Sequence, residues 1–223
     1  MFEHRKIDFG ETKLPRVNVG GKRFYRVNDQ LLPSVTTVMS LLSEEGIAKW
    51  REEVGEEEAN RKARQASSQG NVVHDLCEQY VLNQKPDRFK KSPVHLELFD
   101  SIVPILNNRV GHVYGVEERL YSEALGVAGT ADLLADFDGV PSVIDYKTSG
   151  KPKEKDWIHG YFQQCACYSF AAYERAKLHL PQIVIIITNT TDFEPQIFVE
   201  RARDWLDPAM ETIEKFQEKI AAS

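Results

Sequence analysis

Gly129-Thr130-Ala131-Asp132 and Val143-Ile144-Asp145-Tyr146-Lys147-Thr148-Ser149 decide how this chain reads. The first stretch places a carboxylate in a strand otherwise built of Val, Leu and Ala. The second ends an apolar strand with an Asp-x-Lys triplet, and Asp138-Gly139 between them turns one strand into the next. The two aspartates are thirteen positions apart on paired strands. In that arrangement they can hold one hard divalent cation, which takes carboxylate oxygens. Side chains on a strand alternate with period two, so Lys147 points to the same face as Asp145. Burying an unpaired charge is costly, and a shared cation resolves both aspartates at once. Taken singly, Asp132 also fits a structural salt bridge, and Lys147 a surface lysine at a strand end. Together they suit metal-assisted attack on a phosphodiester.

Outward from this pair the pattern gives three consecutive strands over 113–122, 127–137 and 142–148. A helix follows over 157–177, then strands over 183–188 and 196–200. The closing helix, 203–221, carries Trp205, Leu206, Met210, Ile213, Phe216 and Ile220 as its apolar stripe. Before the strands the periodicity is helical. Ser34 is an N-cap, with Val35, Val38 and Leu42 on one face. Residues 47–67 form a strongly charged helix anchored by Trp50, Val54 and Ala63. Gly70 breaks that run and a new helix begins, and another covers 94–109. At the start, Gly20-Gly21 joins two short β-prone runs as a hairpin. The whole is an α/β sandwich around a mixed sheet. It reads as one domain over 1–223: a hairpin extension (1–32), a helical region (33–110), the sheet (111–200) and a last helix (201–223).

The chain has 223 residues and a net charge of −6. Many nucleic-acid binders are basic, so the charge counts mildly against DNA, but a metal site collects acids and the basic surface can be local. Arg61, Lys62 and Arg64 form one basic group, and Lys151, Lys153 and Lys155 another. No segment approaches the roughly 18 apolar residues of a membrane span. The first residues, Glu3, His4, Arg5 and Lys6, lack the apolar stretch of a secretory signal. Cys77, Cys165 and Cys167 make no disulfide framework, so the expected compartment is the reducing cytoplasm of a bacterium or a phage-infected host. Cys165-Ala166-Cys167 is a weak metal signal.

Four further positions fit a hydrolytic site. His74 lies on a helix four residues past Gly70 and can complete a metal shell beside carboxylates. Packing or capping is the commoner role for such a histidine. Glu117 and Glu118 precede Asp132 by one strand. One of them faces the site, and alternation alone leaves open which. Gln164 and Tyr168 share one helical face. Walker A, Gly-x-Gly-x-x-Gly and Gly-x-Ser-x-Gly motifs are all missing.

As a set these pieces resemble the PD-(D/E)XK nuclease superfamily, and within it the RecB-like exonucleases of the mitochondrial genome maintenance and phage kind. The shared elements run in order from Pro33-Ser34-Val35-Thr36, through Gln69-Gly70-x-x-x-His74 and Val116-Glu117, to Gly129-Thr130-Ala131-Asp132. They continue with Ile144-Asp145-Tyr146-Lys147-Thr148-Ser149, Lys151-Pro152-Lys153 and Gln164-x-x-x-Tyr168. The resemblance implies a restriction-endonuclease-like core with a helical arch over the site. It implies Asp132, Asp145, the Tyr146 carbonyl and His74 as ligands of one or two Mg²⁺ or Mn²⁺ ions. Lys147 would act at the attacking water or phosphate. Glu117, Gln164 and Tyr168 would be accessory, and Ser149, Lys151, Lys153, Arg61 and Arg64 would meet the substrate, with Trp50 or Tyr161 stacking on a base. Two positions depart from the commonest pattern: Ala131 precedes Asp132 where Pro is frequent, and the acid of the x-Lys triplet is Asp rather than Glu. The cysteines of the iron–sulfur branch are absent.

The activity implied is a Mg²⁺-dependent DNA exonuclease working on free single-stranded ends, in replication, recombination or repair. A structure-specific endonuclease with the same metal core stays open. So does a non-catalytic DNA-binding recombination accessory protein, although the complete Asp132, Asp145 and Lys147 set argues against a decayed site.

Overall fold

The computed structural model describes residues 1–10 and 13–222. The chain opens with a two-residue strand, β1 (Glu3–His4). A three-stranded antiparallel sheet follows, built of β2 (Arg16–Val19), β3 (Lys22–Val27) and β4 (Gln30–Pro33). Gly20 and Gly21, both at positive φ, make its first turn. Next come four helices: α1 (Val35–Met39), α2 (Glu44–Val54), α3 (Glu56–Val81) and α4 (Pro93–Arg109). Three long strands, β5 (Val110–Ser122), β6 (Val127–Phe137) and β7 (Val140–Ser149), then lead into α5 (His159–Ala176). Finally β8 (Gln182–Asn189), β9 (Gln196–Arg201) and α6 (Arg203–Ala221) complete the order.

The main sheet has six strands in the order β1-β5-β6-β7-β8-β9, with β1–β5 and β7–β8 parallel and the other pairs antiparallel. Helices cover both faces, as in a restriction-endonuclease-like core. The alternation of β8 shows why its sequence is an unbroken apolar run. Ile183, Ile185 and Ile187 pack with α1, α5 and α6, while Val184 and Ile186 pack with α3 and α4. A strand buried on both faces has no polar side to show. Each such side chain taken fully out of water contributes roughly 1.5–3 kcal/mol. The small sheet packs separately: Leu14, Tyr25, Val27 and Leu32 close on Tyr121 and Ala128.

Several local expectations are corrected. Gly70 does not break a helix, because α3 runs through it without interruption. One helical glycine costs about 1 kcal/mol, and burial of Val73, Leu76, Cys77 and Val81 outweighs that. The break comes earlier, at Gly55, whose φ of 82° divides α2 from α3. Ala63 is exposed, and the buried anchor of that stretch is Ala59. Leu42 lies past the end of α1 in a 3-10 turn and is 50% exposed. On α6 the outer edge of the expected stripe, Met210 and Ile220, is largely exposed, and Ala209, Thr212, Ile213 and Phe216 are the buried positions. The first residues are more than a hairpin extension, since Glu3 and His4 pair with His112 and Val113 in the main sheet. The three thiols are free and buried, with Cys165 and Cys167 in the apolar core beside α1 and α6. Among the described residues no helix is long and apolar enough to cross a membrane.

Candidate active site

The site forms where two paired strands part. The β6–β7 ladder runs from Phe137↔Val140 to Leu133↔Ile144 and stops. The next step of that register would set Asp132 opposite Asp145. Instead, the Asp132 carboxylate enters the gap, and its Oδ2 accepts the Tyr146 backbone N–H at 2.9 Å. A side-chain oxygen thus takes over from a ladder carbonyl. On its other edge β7 stays paired with β8 as far as Ser149↔Asn189, which holds Asp145 and Lys147 in place. Gly129 leaves room for the α5 side of the site. A Cβ there would stand 2.6 Å from the Tyr168 hydroxyl oxygen.

Around Asp132, ligand atoms of His74, Glu117 and Asp132 all lie within 4.8 Å of one another. His74 comes from α3, with Nδ1 3.4 Å from Asp132 Oδ2. Glu117 comes from β5 and resolves the choice that alternation left open. The pairs Val116↔Leu133 and Glu118↔Ala131 bracket it opposite Asp132. Its φ of 48° is unusual for a residue other than glycine, the kind of strained backbone that collects at functional sites. Asp145 stands apart from this trio. Its Oδ1 accepts a hydrogen bond from Gln164 Nε2 at 2.8 Å, and Oδ2 is ion-paired with Lys147 Nζ. That Oδ2 is buried and has no aligned hydrogen bond. Lys147 Nζ in turn lies 5.0 Å from the centre of the Tyr161 ring.

The charges are strongly coupled. Burial works against the His74 imidazolium, but the Asp132 carboxylate and, behind it, Asp145 raise its pKa to about 9. Burial, then the nearby Asp132 charge, pushes Glu117 up to about 7. Burial also raises Asp145, against the pull of Lys147, to about 6. Burial disfavours the Lys147 ammonium, yet Asp145 and Asp132 hold it charged. Three acids, Glu117, Asp132 and Asp145, meet here, offset by the His74 imidazole, the Lys147 ammonium and, at Glu117, the Arg16 guanidinium. A divalent cation fits that donor set. Imidazole nitrogen and carboxylate oxygens are its usual ligands, and Asp145 Oδ2, which Lys147 ion-pairs, is a further carboxylate oxygen beside them.

A cleft of about 490 Å³ opens over these groups. Its far wall was not foreseen. Arg16, Arg23 and Tyr25 of the small sheet line it. Arg16 pairs with Tyr25 across β2–β3, and Arg23 lies two residues from Tyr25, so all three share one face. Tyr25 Oη and an Arg16 guanidinium nitrogen both reach Thr130 Oγ1, at 3.4 and 3.5 Å. Period-two spacing in the hairpin was the available signal. The expected basic residues lie elsewhere. Arg61 is held by Glu58 through two 2.7 Å hydrogen bonds, and Arg64 is exposed outside the cleft wall. On α3 the wall is instead Ser67, Gly70, Asn71, His74, Asp75 and Glu78. Ser149 donates to the Lys151 carbonyl at 2.6 Å and the Lys153 amide donates to Gln196 Oε1 at 2.7 Å, so both fasten the loop after β7. Lys151 is exposed, and Lys155 is ion-paired with Glu200. The Tyr146 ring points to the opposite face, edge-on to His74 at 6.0 Å.

Human mitochondrial genome maintenance exonuclease 1 is 28% identical over 136 residues, which cover 55% of this chain and 38% of the human protein. The chain therefore spans well under half of that relative's length. The model of the PD-(D/E)XK nuclease superfamily matches residues 22–222. That match takes in both strands that part at Asp132, the helix that brings His74 and the helix that brings Gln164 and Tyr168, and it places the chain in the PD-(D/E)XK nuclease superfamily.

Proposed function

We propose that this nuclease is a Mg²⁺- or Mn²⁺-dependent DNA exonuclease that works from free single-stranded ends, in replication, recombination or repair. The observation that carries the reading is the meeting of the His74, Glu117 and Asp132 trio with the Asp145–Lys147 pair at the strand split. Asp132, Glu117, His74, the Oδ2 of Asp145 and the Tyr146 carbonyl would hold one or two ions. When bound, the metal supplies a water of lowered pKa and positive charge for the phosphate.

The remaining steps belong to the chain's own residues. Lys147 keeps its proton beside Asp145, and its ammonium orients the attacking water and offsets charge growing on the phosphoryl oxygens. Gln164 fixes Asp145 by donating to Oδ1, and Tyr168 fills the space that Gly129 leaves. Arg16 and Arg23, facing the same cleft, contact phosphates on either side of the scissile bond. Arg61, Arg64, Lys151 and Lys153, with Ser149, would meet the strand only beyond the cleft. The cleft is of a size that takes a nucleotide-scale ligand, which suits one strand better than a duplex. We take residues 1–223 to act as one domain, and the three buried free thiols suit a reducing cytoplasm.

The test is digestion of end-labelled single-stranded, duplex and circular DNA in Mg²⁺, with products resolved by length. Stepwise shortening of linear single strands with circles left intact is expected. Cleavage of circles would replace the exonuclease reading with the endonuclease one.

A further inference from the structure

Lys147 is reachable from two sides. Behind it a second cleft of about 570 Å³ opens between the 3-10 turn Ser40–Ser43 and the segment 156–161. Thr36, Lys147 and Gln164 line both clefts, so the two meet at the lysine. Their chemistry differs. The first is walled by acids and arginines. The second carries Trp157, His159 and Tyr161, and among the described residues Asp156 is the one carboxylate along it, 92% exposed and 3.8 Å from His159.

Trp157 is the unexplained residue there. It is 70% exposed, although burying an aromatic side chain would have contributed to stability. Its position is nevertheless fixed. It ends the 3-10 turn Lys155–Trp157, with its amide bonded to the Glu154 carbonyl at 3.0 Å. The turn is pinned to β9 by the Lys155–Glu200 ion pair and by two hydrogen bonds between Lys153 and Gln196. A fixed turn thus presents an exposed indole at a cleft that leads to the Asp-x-Lys lysine.

We propose that the second cleft is a base-stacking site for a single polynucleotide strand. The strand passes from the arginine-lined cleft across Lys147, and a base beyond the scissile phosphate stacks on Trp157. Stacking on an aromatic side chain tolerates any base, and losing one such platform weakens binding roughly 5- to 150-fold. The idea rests on the nuclease reading for its direction of travel, but the binding site can be tested without cleavage.

The experiment titrates fluorescently labelled phosphorothioate oligothymidylate, which resists hydrolysis, into wild-type protein, Trp157→Ala and Trp157→Phe in Mg²⁺. Wild type and Trp157→Phe should bind within about threefold of each other, and Trp157→Ala should bind about 10- to 100-fold more weakly. An oligomer made of abasic residues should bind wild type and Trp157→Ala alike. Equal affinity of wild type and Trp157→Ala for oligothymidylate overturns the stacking site. A cleavage assay on unmodified DNA separates the two readings. Wild-type cleavage with no effect of Trp157→Ala on binding removes the stacking site alone. Trp157-dependent binding with no wild-type cleavage keeps the site and removes the exonuclease.

Discussion

Asp132 and Tyr146 are joined where their strands separate: the carboxylate of one accepts the backbone N–H of the other at 2.9 Å. One side chain therefore closes the fold and opens the site. Two substitutions separate those tasks. Asp132→Asn keeps an oxygen for the Tyr146 amide and should destabilise the protein less than Asp132→Ala, although both lose the charge beside His74. Asp132→Ala leaves that amide unpaired and should cost about 1–3 kcal/mol. Both should lower the cleavage rate by at least roughly 100-fold. Denaturant midpoints and initial rates measure the two effects. An active Asn variant would remove Asp132 from the metal shell.

Glu117 and Glu118 are neighbours with opposite fates. Glu117 is crowded against Asp132, so its removal should stabilise the metal-free protein. The same change should cut the gain from metal, which for wild type at a hundredfold excess over Kd is about 2.7 kcal/mol. Thermal shifts with and without Mn²⁺ should show Glu117→Ala with a higher metal-free Tm and a smaller Mn²⁺ increment. Glu118→Ala should match wild type in the increment. Equal increments for the two variants would contradict the ligand role.

The sheet was readable because its signals are local. Alternating or unbroken apolar runs gave β5 to β9, and the Asp138-Gly139 turn set the register that pairs Leu133 with Ile144. Ser34 caps α1 as its sequence suggested, accepting from the Thr37 amide at 3.0 Å. The choice of Glu117 was not readable, because β5 shifts register at two places before it and takes a left-handed turn at Glu117 itself. Period-two reasoning fails across such irregularities. Arg16 and Arg23 were missed for another reason. They reach the cleft only through the docking of a separate small sheet, by contacts such as Arg16 with Thr130 more than a hundred residues away. The uninterrupted α3 was hidden by its glycine, whose weak local cost gives way to tertiary burial.

Gly129 is explained by its neighbour rather than by its backbone. An added Cβ would meet Tyr168 Oη at 2.6 Å and Cε1 at 2.7 Å. The Tyr168 ring is buried, so it cannot swing clear at low cost. Gly129→Ala should therefore destabilise the protein by about 1–3 kcal/mol and slow cleavage by moving α5, which carries Gln164. Tyr168→Phe does not relieve the clash at the ring carbon, so adding it to Gly129→Ala should not restore stability. Recovery in the double variant would show that the hydroxyl alone was the obstacle.

Away from the site, Asp136 ties β6 to the β5 edge. It accepts hydrogen bonds from Tyr114 Oη at 2.6 Å and His112 Nδ1 at 2.9 Å. Burial tends to raise its pKa, but the Tyr114 hydroxyl and the His112 ring outweigh burial and hold the carboxyl below its usual range. A carboxylate depressed on folding contributes stability above its unfolded pKa, about 3.9. That contribution is lost as pH falls through the folded value. Asp136→Asn should thus be less stable than wild type at pH 7, and the gap should shrink between about pH 5 and pH 3. Urea midpoints across that range measure it, and a gap that widens on acidification would refute the assignment.

The arginines of the small sheet make a prediction that depends on salt. Each phosphate neutralised on a single strand contributes about 0.7 to the slope of log K against log salt. Arg16 and Arg23 face the cleft, and neither has a carboxylate within ion-pairing distance among the described residues. Removing both guanidinium groups should flatten the slope by about 1.4. Binding of phosphorothioate oligothymidylate by the Arg16→Ala, Arg23→Ala double variant should weaken most at low salt and converge toward wild type as salt rises. The weakening should not depend on base sequence, because phosphates carry no sequence information. A parallel drop at every salt concentration would mean that the substitutions disturb the Tyr25–Thr130 hydrogen bond rather than the grip on phosphates.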